Sequence, residues 1–220
     1  MINLVTVKVG TKYTAADANR IHTSFKTDLP ITHFCITDDP TGLHPWIEAL
    51  PPPIKVPGWW NKIALFNYSY HYPRCVYLDL DLVILDSVDD LIQQPGFCAG
   101  EDHYHWHGVR FGSAFMAWDA GRHRNLFNDF AADPWRYINT CPAGDQQYIG
   151  SKVNADTYLD GIASYKKDIE PTNTIPAGTR IINFHGDPKP TAILADTTHP
   201  FYPQLKVIRD AQKEKANGHG

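Results

Sequence analysis

The sequence predicts an α/β fold with a mostly parallel central sheet flanked by helices. Apolar runs rich in β-branched residues, such as 2–9, 31–37 and 75–78, alternate with segments of helical periodicity. Continuous apolar runs are typical of strands buried on both faces, as in parallel sheets between helix layers. Such sheets bind ligands at the carboxyl ends of their strands, so the residues that follow each strand are the first candidates for a functional site.

The first half of the chain contains recognisable start and stop signals. Thr14 and Asp17 are spaced as a capping pair and predict a helix over 14–27. A proline-rich stretch around 51–58 predicts a crossing loop. Beyond it, Trp59, Ile63 and Phe66 are spaced to share one face of a helix over 59–70.

The second half continues the alternation. Ser87 is predicted to open a short helix, and a longer helix is predicted over 122–131. The charged tail from Lys206 is expected to be a frayed surface helix. Further strands are predicted at 97–100, 112–118, 161–165 and 179–184.

Length and composition limit the classes of function. The chain has 220 residues, 43% of them hydrophobic, and a net charge of −4. These values suit one globular domain, and without a basic run we expect no binding to nucleic acid or to an anionic membrane surface. No stretch approaches the roughly 18–20 apolar residues that span a bilayer. The first residues lack a signal-peptide pattern and the four cysteines are widely spaced, so we expect a cytoplasmic protein with free thiols.

Two carboxylates leave one of the apolar runs. Asp79 and Asp81 follow Val76-Tyr77-Leu78 directly. Burying a carboxylate at a strand end is costly unless a cation or hydrogen bonds compensate. A hard divalent ion would compensate and would also hold phosphate oxygens. The pattern indicates either a metal site or an ordinary strand-end turn, in which Asp is common.

A second strand end repeats this logic. The apolar run 181–184 is followed by His185, and Lys189 lies four residues further on. Imidazole is a sound ligand for ions such as Mn²⁺, and an ammonium group binds a diphosphate as a point charge. Alone, this segment is equally typical of a capped strand end with a solvated lysine.

Four motifs occur in order along the chain: Trp60-x-Lys62-x-x-Leu65, Tyr77-Leu78-Asp79-x-Asp81, Gly144-Asp145-Gln146 and Phe184-His185-Gly186-x-Pro188-Lys189-Pro190. Together they resemble the motifs of the glycogenin-like, family 8 glycosyltransferases, and more closely those of the small bacterial and phage members. The resemblance covers residues 1–195. It implies a single GT-A nucleotide-diphospho-sugar transferase domain over 1–195, followed by a C-terminal tail over 196–220.

The resemblance also implies a reaction. A sugar would move from a nucleotide diphosphate sugar, with a UDP-sugar the expected donor, to a saccharide or other hydroxyl acceptor, with retention at the anomeric carbon. Asp79, Asp81 and His185 match the family's ligands for Mn²⁺ or Mg²⁺. Retention requires either a protein nucleophile or attack from the face of departure. Asp145 and Gln146, which match the pair beside the anomeric centre, could serve either route.

The donor-binding residues that the resemblance implies are Tyr13, Lys62, Asp79, Asp81, Gly186 and Lys189. Lys189 matches the lysine on the donor diphosphate, and Lys62 matches the helix lysine near the sugar. Tyr13 corresponds to the aromatic residue that stacks on the base. The sequence departs from the family pattern at Gly112-Ser113-Ala114, at Pro142 and at Thr191.

The acceptor site is predicted in the segment 101–107, because the chain is shorter than most family members. Tyr104 and Trp106 supply rings that could cover a pyranose, beside groups that bond its hydroxyls. His103, His105 and His107 alternate in the same segment and on a strand would form a zinc site. A polar loop is the interpretation we favour.

Two other functions remain open from the sequence. A haloacid-dehalogenase-like phosphatase also uses a strand-end Asp-x-Asp, but it needs a downstream lysine, and none occurs between Asp81 and Asp145. A non-catalytic module that binds sugar nucleotides or glycans would keep the same ligand set without turnover.

Overall fold

Two β-sheets form the framework of the protein, for which a computed structural model describes residues 1–203 and 205–206. The strands are β1 (Ile2–Lys8), β2 (Ile31–Thr37), β3 (Ile47–Leu50), β4 (Arg74–Leu78), β5 (Leu82–Ile84), β6 (Cys98–Glu101), β7 (Phe111–Asp119), β8 (Thr157–Tyr158), β9 (Ile162–Ser164) and β10 (Ile181–Asn183). The α-helices are α1 (Ala15–Ser24), α2 (Asp89–Ile92), α3 (Arg124–Ala132), α4 (Pro134–Thr140), α5 (Asp145–Lys152) and α6 (Pro190–Ala195). Turns of 3₁₀ helix cover Gly58–Phe66 and Trp106–Gly108, and a π-helical turn covers Tyr165–Ile169.

The larger sheet has the strand order β3-β2-β1-β4-β7-β6-β8. β7 runs antiparallel to β4 and β6, and the other neighbouring pairs are parallel. The smaller sheet has the order β5-β10-β9, with β10 antiparallel to β5 and parallel to β9. The predicted mostly parallel sheet flanked by helices is thereby confirmed.

Both faces of the larger sheet are buried, as the apolar run of β4 predicts. Cys75 and Tyr77 join the core beneath the 3₁₀ helix Gly58–Phe66, α3 and α5. Val76 and Leu78 join the core beneath α1 and α2 on the opposite face. Successive side chains of a strand point to opposite faces, so a strand between two helix layers must be apolar throughout.

The helix predicted over 59–70 is a 3₁₀ helix that ends at Phe66. Ile63 and Phe66 are 0% and 4% exposed, whereas Trp59 is 61% exposed. A 3₁₀ helix has three residues per turn, so residues four apart are separated by a third of a turn and do not share a face. The prediction that Trp59 shares a face with Ile63 and Phe66 is wrong for this reason, and Trp59 instead shares a face with Lys62.

Other differences concern short or polar elements. The capping box of Thr14 and Asp17 is confirmed, although α1 ends at Ser24, three residues before the predicted end. The short helix predicted from Ser87 begins at Asp89. Elements that the sequence did not predict are β3, β5, β8, α4, α5 and α6.

Beyond residue 195, the first part of the predicted tail packs on the smaller sheet. Phe201 and Leu205 are 4% and 3% exposed and join the core of Val83 and Phe184. From residue 207 onward, the predicted frayed helix lies outside the described residues. Across residues 1–203 and 205–206, no helix combines the length and the apolar character needed to cross a bilayer.

The strand ends meet at one edge of the framework. β1, β4 and β6 run in the same direction and end at this edge, and the antiparallel β7 begins there. β5 leads away from Asp81 and pairs with β10, where Leu82 lies opposite Asn183. The amide of Phe184 donates to the carbonyl of Asp81 at 3.2 Å. His185 is therefore brought beside Asp81 although the two are far apart in sequence.

Candidate active site

A cavity of about 1040 Å³ opens at this edge. Its volume is at the upper end of the range for small-molecule sites. The predicted site residues that line it are Tyr13, Lys62, Asp79, Asp81, Tyr104, Trp106, Asp145, Gln146, His185 and Gly186. The remaining one, Lys189, contacts Asp81. The structure thus brings the predicted residues together around one cavity.

Five of these residues form ion pairs, and we call them the charged cluster: Lys62, Asp79, Asp81, Asp145 and Lys189. The Nζ atom of Lys62 lies 3.1 Å from Asp79 Oδ2 and 3.2 Å from Asp145 Oδ2. The Nζ atom of Lys189 lies 2.6 Å from Asp81 Oδ2. Three carboxylates face two ammonium groups, which leaves one excess negative charge when all five are ionised.

Lys62 is the buried centre of the charged cluster. Its ammonium donates to Ser113 Oγ at 3.0 Å, and that hydroxyl donates to Asp145 Oδ2 at 2.6 Å. Desolvation acts to lower the pKa of Lys62, but the carboxylates of Asp145 and Asp79 outweigh it and raise the pKa above its usual range. Lys62 is therefore a permanent cation that fixes both carboxylates.

Asp79 has a less favourable environment. The Tyr77 hydroxyl donates to Asp79 Oδ1, and Lys62 contacts Oδ2. Burial nevertheless raises the pKa of Asp79 to about 6, with Lys62 opposing that rise and Asp81 adding to it. Asp79 is therefore ionised at neutral pH, and a further cation beside it would stabilise the ionised form.

Asp81 is held by residues from two other parts of the chain. The Tyr13 hydroxyl donates to Asp81 Oδ2 at 2.8 Å, the same oxygen that Lys189 contacts. The Nζ atoms of Lys189 and Lys12 lie 5.5 Å and 5.3 Å from the centre of the Tyr13 ring. Tyr13, which follows β1 in the chain, therefore lies beside two cations in the cavity.

His185 packs among other polar rings. Its Nε2 atom lies 2.6 Å from Ser164 Oγ, and the His103 ring stacks on it with centroids 5.7 Å apart. Burial lowers the pKa of His185, and the neighbouring His103 and Lys166 lower it further. The imidazole is thus neutral at physiological pH. Within the described residues, the buried Nε2 atom of His103 has no hydrogen-bond partner.

The predicted metal ligands fit a divalent ion in type. Asp79 and Asp81 offer carboxylate oxygens, His185 offers a neutral imidazole, and the charged cluster has one excess negative charge. Their arrangement is different: across residues 1–203 and 205–206, no three His, Cys, Asp or Glu side chains are grouped as a metal site. The carboxylates contact lysines instead, so metal binding stays a prediction.

The segment predicted to bind the acceptor is a loop in the cavity wall. Tyr104 and Trp106 are 54% and 63% exposed and line the cavity. His105 and His107 have φ values of 48° and 54°, so the alternating histidines do not lie on a strand and the loop interpretation is confirmed. Lys167 donates to the His103 carbonyl and lies 5.3 Å from the Tyr104 ring centre.

A third exposed aromatic side chain, Trp59, also lines the cavity. We call Trp59, Tyr104 and Trp106 the aromatic rim. Sequence reasoning placed Trp59 on one helix face with Ile63 and Phe66, and it missed Ser113 and Tyr77 as partners of the carboxylates. Tyr77 could have been found, because residues two apart on a strand share a face. No local signal connects Ser113 with Asp145, since the contact depends on how α5 packs on β7.

Comparisons with known proteins support the fold. No known family profile matches the chain. The chain is 28% identical over 99 residues to inositol phosphorylceramide glucuronosyltransferase 1 of Arabidopsis thaliana, a match that covers 45% of this chain and 17% of that protein.

Solved structures match over almost the whole chain. Galactosyltransferase LgtC, crystallised with donor and acceptor sugar analogues, superposes with a TM-score of 0.68 and 14% identity, over 96% of this chain and 95% of LgtC. The glycosyltransferase GlyE of Streptococcus pneumoniae superposes with a TM-score of 0.66 and 11% identity, over 99% of this chain and 63% of GlyE. The chain has the GT-A fold of these glycosyltransferases, which confirms the fold that its motifs implied.

Proposed function

We propose that the protein is a retaining glycosyltransferase that moves a sugar from a nucleotide diphosphate sugar, with a UDP-sugar the expected donor, to a saccharide hydroxyl. The observation that carries the proposal is the charged cluster at the base of a large cavity, at the edge where GT-A strands end. Its buried cation, Lys62, forms ion pairs with Asp79, a predicted metal ligand, and with Asp145, the carboxylate predicted beside the anomeric centre.

The donor diphosphate would bind beside Asp81 and Tyr13. Lys189 contacts Asp81 in the structure, and its ammonium could exchange that carboxylate for a phosphate oxygen. Asp79, Asp81 and His185 would hold Mn²⁺ or Mg²⁺, which supplies neutralisation of the charge that develops on the diphosphate. The Tyr13 ring, next to Lys12 and Lys189, would stack on the nucleotide base.

The sugar would lie between the diphosphate and Asp145. The acceptor oxygen would bond to the anomeric carbon on the face from which the diphosphate departs, which retains the anomeric configuration. The bond from that carbon to the diphosphate oxygen would break, and its electron pair would leave with UDP. The acceptor proton passes to the diphosphate or to solvent. Both recorded contacts of the Asp145 carboxylate, from Ser113 and Lys62, involve Oδ2. They would fix the position of the Asp145 carboxylate beside the positive charge that develops on the sugar.

Incubation of the purified chain with a panel of UDP-sugars and saccharides tests the proposal. We expect release of UDP and formation of a new glycoside. Both should require Mn²⁺ or Mg²⁺, should be lost in EDTA, and should fail in Asp81→Asn, His185→Ala and Asp145→Asn. Asp129→Asn is the matched control for Asp145→Asn, because Asp129 also pairs with a lysine but is exposed.

Each alternative gives a different result. Release of inorganic phosphate from phosphomonoesters would favour a phosphatase, and tight donor binding without turnover would indicate a binding module. Full transfer in EDTA would refute the metal-dependent form of the proposal.

A further inference from the structure

Trp59 has no part in the mechanism proposed above, although it lines the same cavity. It is 61% exposed, whereas the next residue, Trp60, is 5% exposed and stacks on Phe130 with ring centroids 5.3 Å apart. Residues three apart share a face of a 3₁₀ helix, and Trp59 and Lys62 accordingly both line the cavity. The exposed indole therefore lies on the face that carries the central cation of the charged cluster.

Gly144 fixes the position of this indole. A Cβ atom at Gly144 would lie 2.5 Å from Trp59 Nε1, so a larger residue would displace the ring. Gly144 has a φ of 74° and directly precedes Asp145 at the start of α5. Trp59 thus closely approaches the residue that precedes the anomeric-centre carboxylate, while most of its surface stays exposed.

The surroundings of Trp59 favour an uncharged ligand. Lys62 is already paired with two carboxylates, and Pro142 and Ala143 extend the apolar wall of the cavity. Gln146 adds an amide that can donate and accept hydrogen bonds. The cations at Tyr13 lie elsewhere, since Tyr13 packs with the core of α1 on the opposite face of the larger sheet.

We propose that Trp59 is the platform of the acceptor subsite and that its indole covers the apolar face of a pyranose ring in a neutral saccharide. An aromatic face beside an amide and a carboxylate matches a sugar, whose C–H face is apolar and whose hydroxyls need polar partners. A ring on Trp59 would present its hydroxyl beside Asp145. The assignment rests on the proposed glycosyl transfer in this cavity.

Saturation-transfer-difference NMR in the presence of UDP tests the subsite without relying on turnover. The probes are lactose, maltose and cellobiose, with glucuronic acid as an anionic comparator. The variants are Trp59→Ala and Trp59→Leu, the second of which keeps an apolar side chain against Gly144 but has no aromatic face. Trp135→Ala is the control, because Trp135 is 60% exposed and is not among the described residues of the cavity wall.

We expect a disaccharide to receive saturation from the wild type and from Trp135→Ala. Its affinity should fall about fivefold to tenfold in both Trp59 variants, with melting temperatures unchanged. The proposal is overturned if none of the disaccharides binds, if Trp59→Leu binds as the wild type does, or if glucuronic acid binds more tightly than they do. If Trp59→Ala fails to fold, Trp59→Leu decides.

Release of UDP from a UDP-sugar in the absence of acceptor separates the two proposals. This reaction is measured in the wild type, because it needs no acceptor. Trp59-dependent sugar binding without UDP release in the wild type would retain the subsite and remove the proposed function. UDP release without Trp59-dependent binding would retain the proposed function and remove the subsite.

Discussion

Within one cavity, the charged cluster and the aromatic rim are stabilised in different ways. Lys62 and Asp145 have side chains that are each 7% exposed, and every member of the cluster has an ionic partner. The rim side chains, Trp59, Tyr104 and Trp106, are 54–63% exposed. A buried charge depends on its partners, whereas an exposed ring can be removed at little cost to the fold. The cluster is therefore tied to stability, and the rim is available for ligands.

The largest effect is expected from removing the central cation. Lys62→Ala leaves the buried Asp145 and the partly buried Asp79 without their shared partner, so the free energy of unfolding should fall by about 3–5 kcal/mol, and donor turnover should be lost. Lys152→Ala, which breaks the exposed pair with Asp129, should cost about 0–1 kcal/mol. Urea denaturation measures both. Equal losses of unfolding free energy in the two variants would contradict the assignment of Lys62 as the buried centre of the charged cluster.

Next in size is the effect of the anomeric-centre pair. Asp145→Asn keeps the shape but removes the charge, and donor turnover should fall about 10²–10³-fold while UDP affinity changes little. Gln146→Ala should act in the same direction. Proton NMR of the early product from the wild type should show the anomeric configuration of the donor. An inverted product would remove the retaining mechanism but leave the fold assignment intact.

A smaller effect is expected from the cation on Asp81. Lys189→Ala should weaken the binding of UDP and of UDP-sugars equally, by about 1.5–3 kcal/mol, because the lost contact is to phosphate. Calorimetric titration with both ligands measures the loss. Unchanged UDP affinity would mean that Lys189 serves only to neutralise Asp81.

The raised pKa of Asp79 predicts the direction in which stability changes with pH. Its value of about 6 lies above the usual 3.8, so the folded protein binds a proton more tightly than the unfolded chain. Asp79 therefore costs stability as the pH rises from about 4 to 6. Asp79→Asn should become more stable relative to the wild type across that window, as measured by urea denaturation at several pH values. The opposite trend would mean that Lys62 dominates the environment of Asp79.

The smallest effect on the fold is expected at the aromatic rim. Tyr104→Ala and Trp106→Ala should change the free energy of unfolding by no more than about 0.5 kcal/mol, because both rings are exposed. Transfer to the acceptor should nevertheless fall, while UDP-sugar binding and slow hydrolysis are spared. A matched fall in melting temperature, donor affinity and transfer would place these rings with the core instead of with the ligand.

Sequence reasoning succeeded where a single element carries the signal. β1 and β2 are rich in β-branched residues, β4 contains a continuous apolar run, and Asp79 and Asp81 follow β4. α5 was missed because its buried stripe begins with a charged residue, Asp145, which hides the helical spacing of Tyr148 and Ile149. β3 was missed because it is short and carries exposed residues at the edge of the sheet.

The residues of the site were easier to predict than the contacts between them. Most of its residues could be proposed from motifs, but the pairing of Lys62 with both Asp79 and Asp145 depends on how separate elements approach one another. The register of the helix at Trp59 could not be read from sequence either. Its two polar residues, Asn61 and Lys62, are buried as well, so the segment has no exposed polar face that would distinguish three residues per turn from 3.6.

The ladder between β5 and β10 also bears on how acceptor specificity could diversify. Backbone hydrogen bonds fix Leu82 opposite Asn183, so the spacing of Asp81 and His185 is independent of the length of the chain between them. Lengthening a surface loop is cheap, at about 0.6 kcal/mol for each doubling. The loop that carries Tyr104 and Trp106 lies within that intervening chain. Loops of different length and composition could therefore be grafted there to recruit new acceptors, while the donor end of the cavity keeps its geometry.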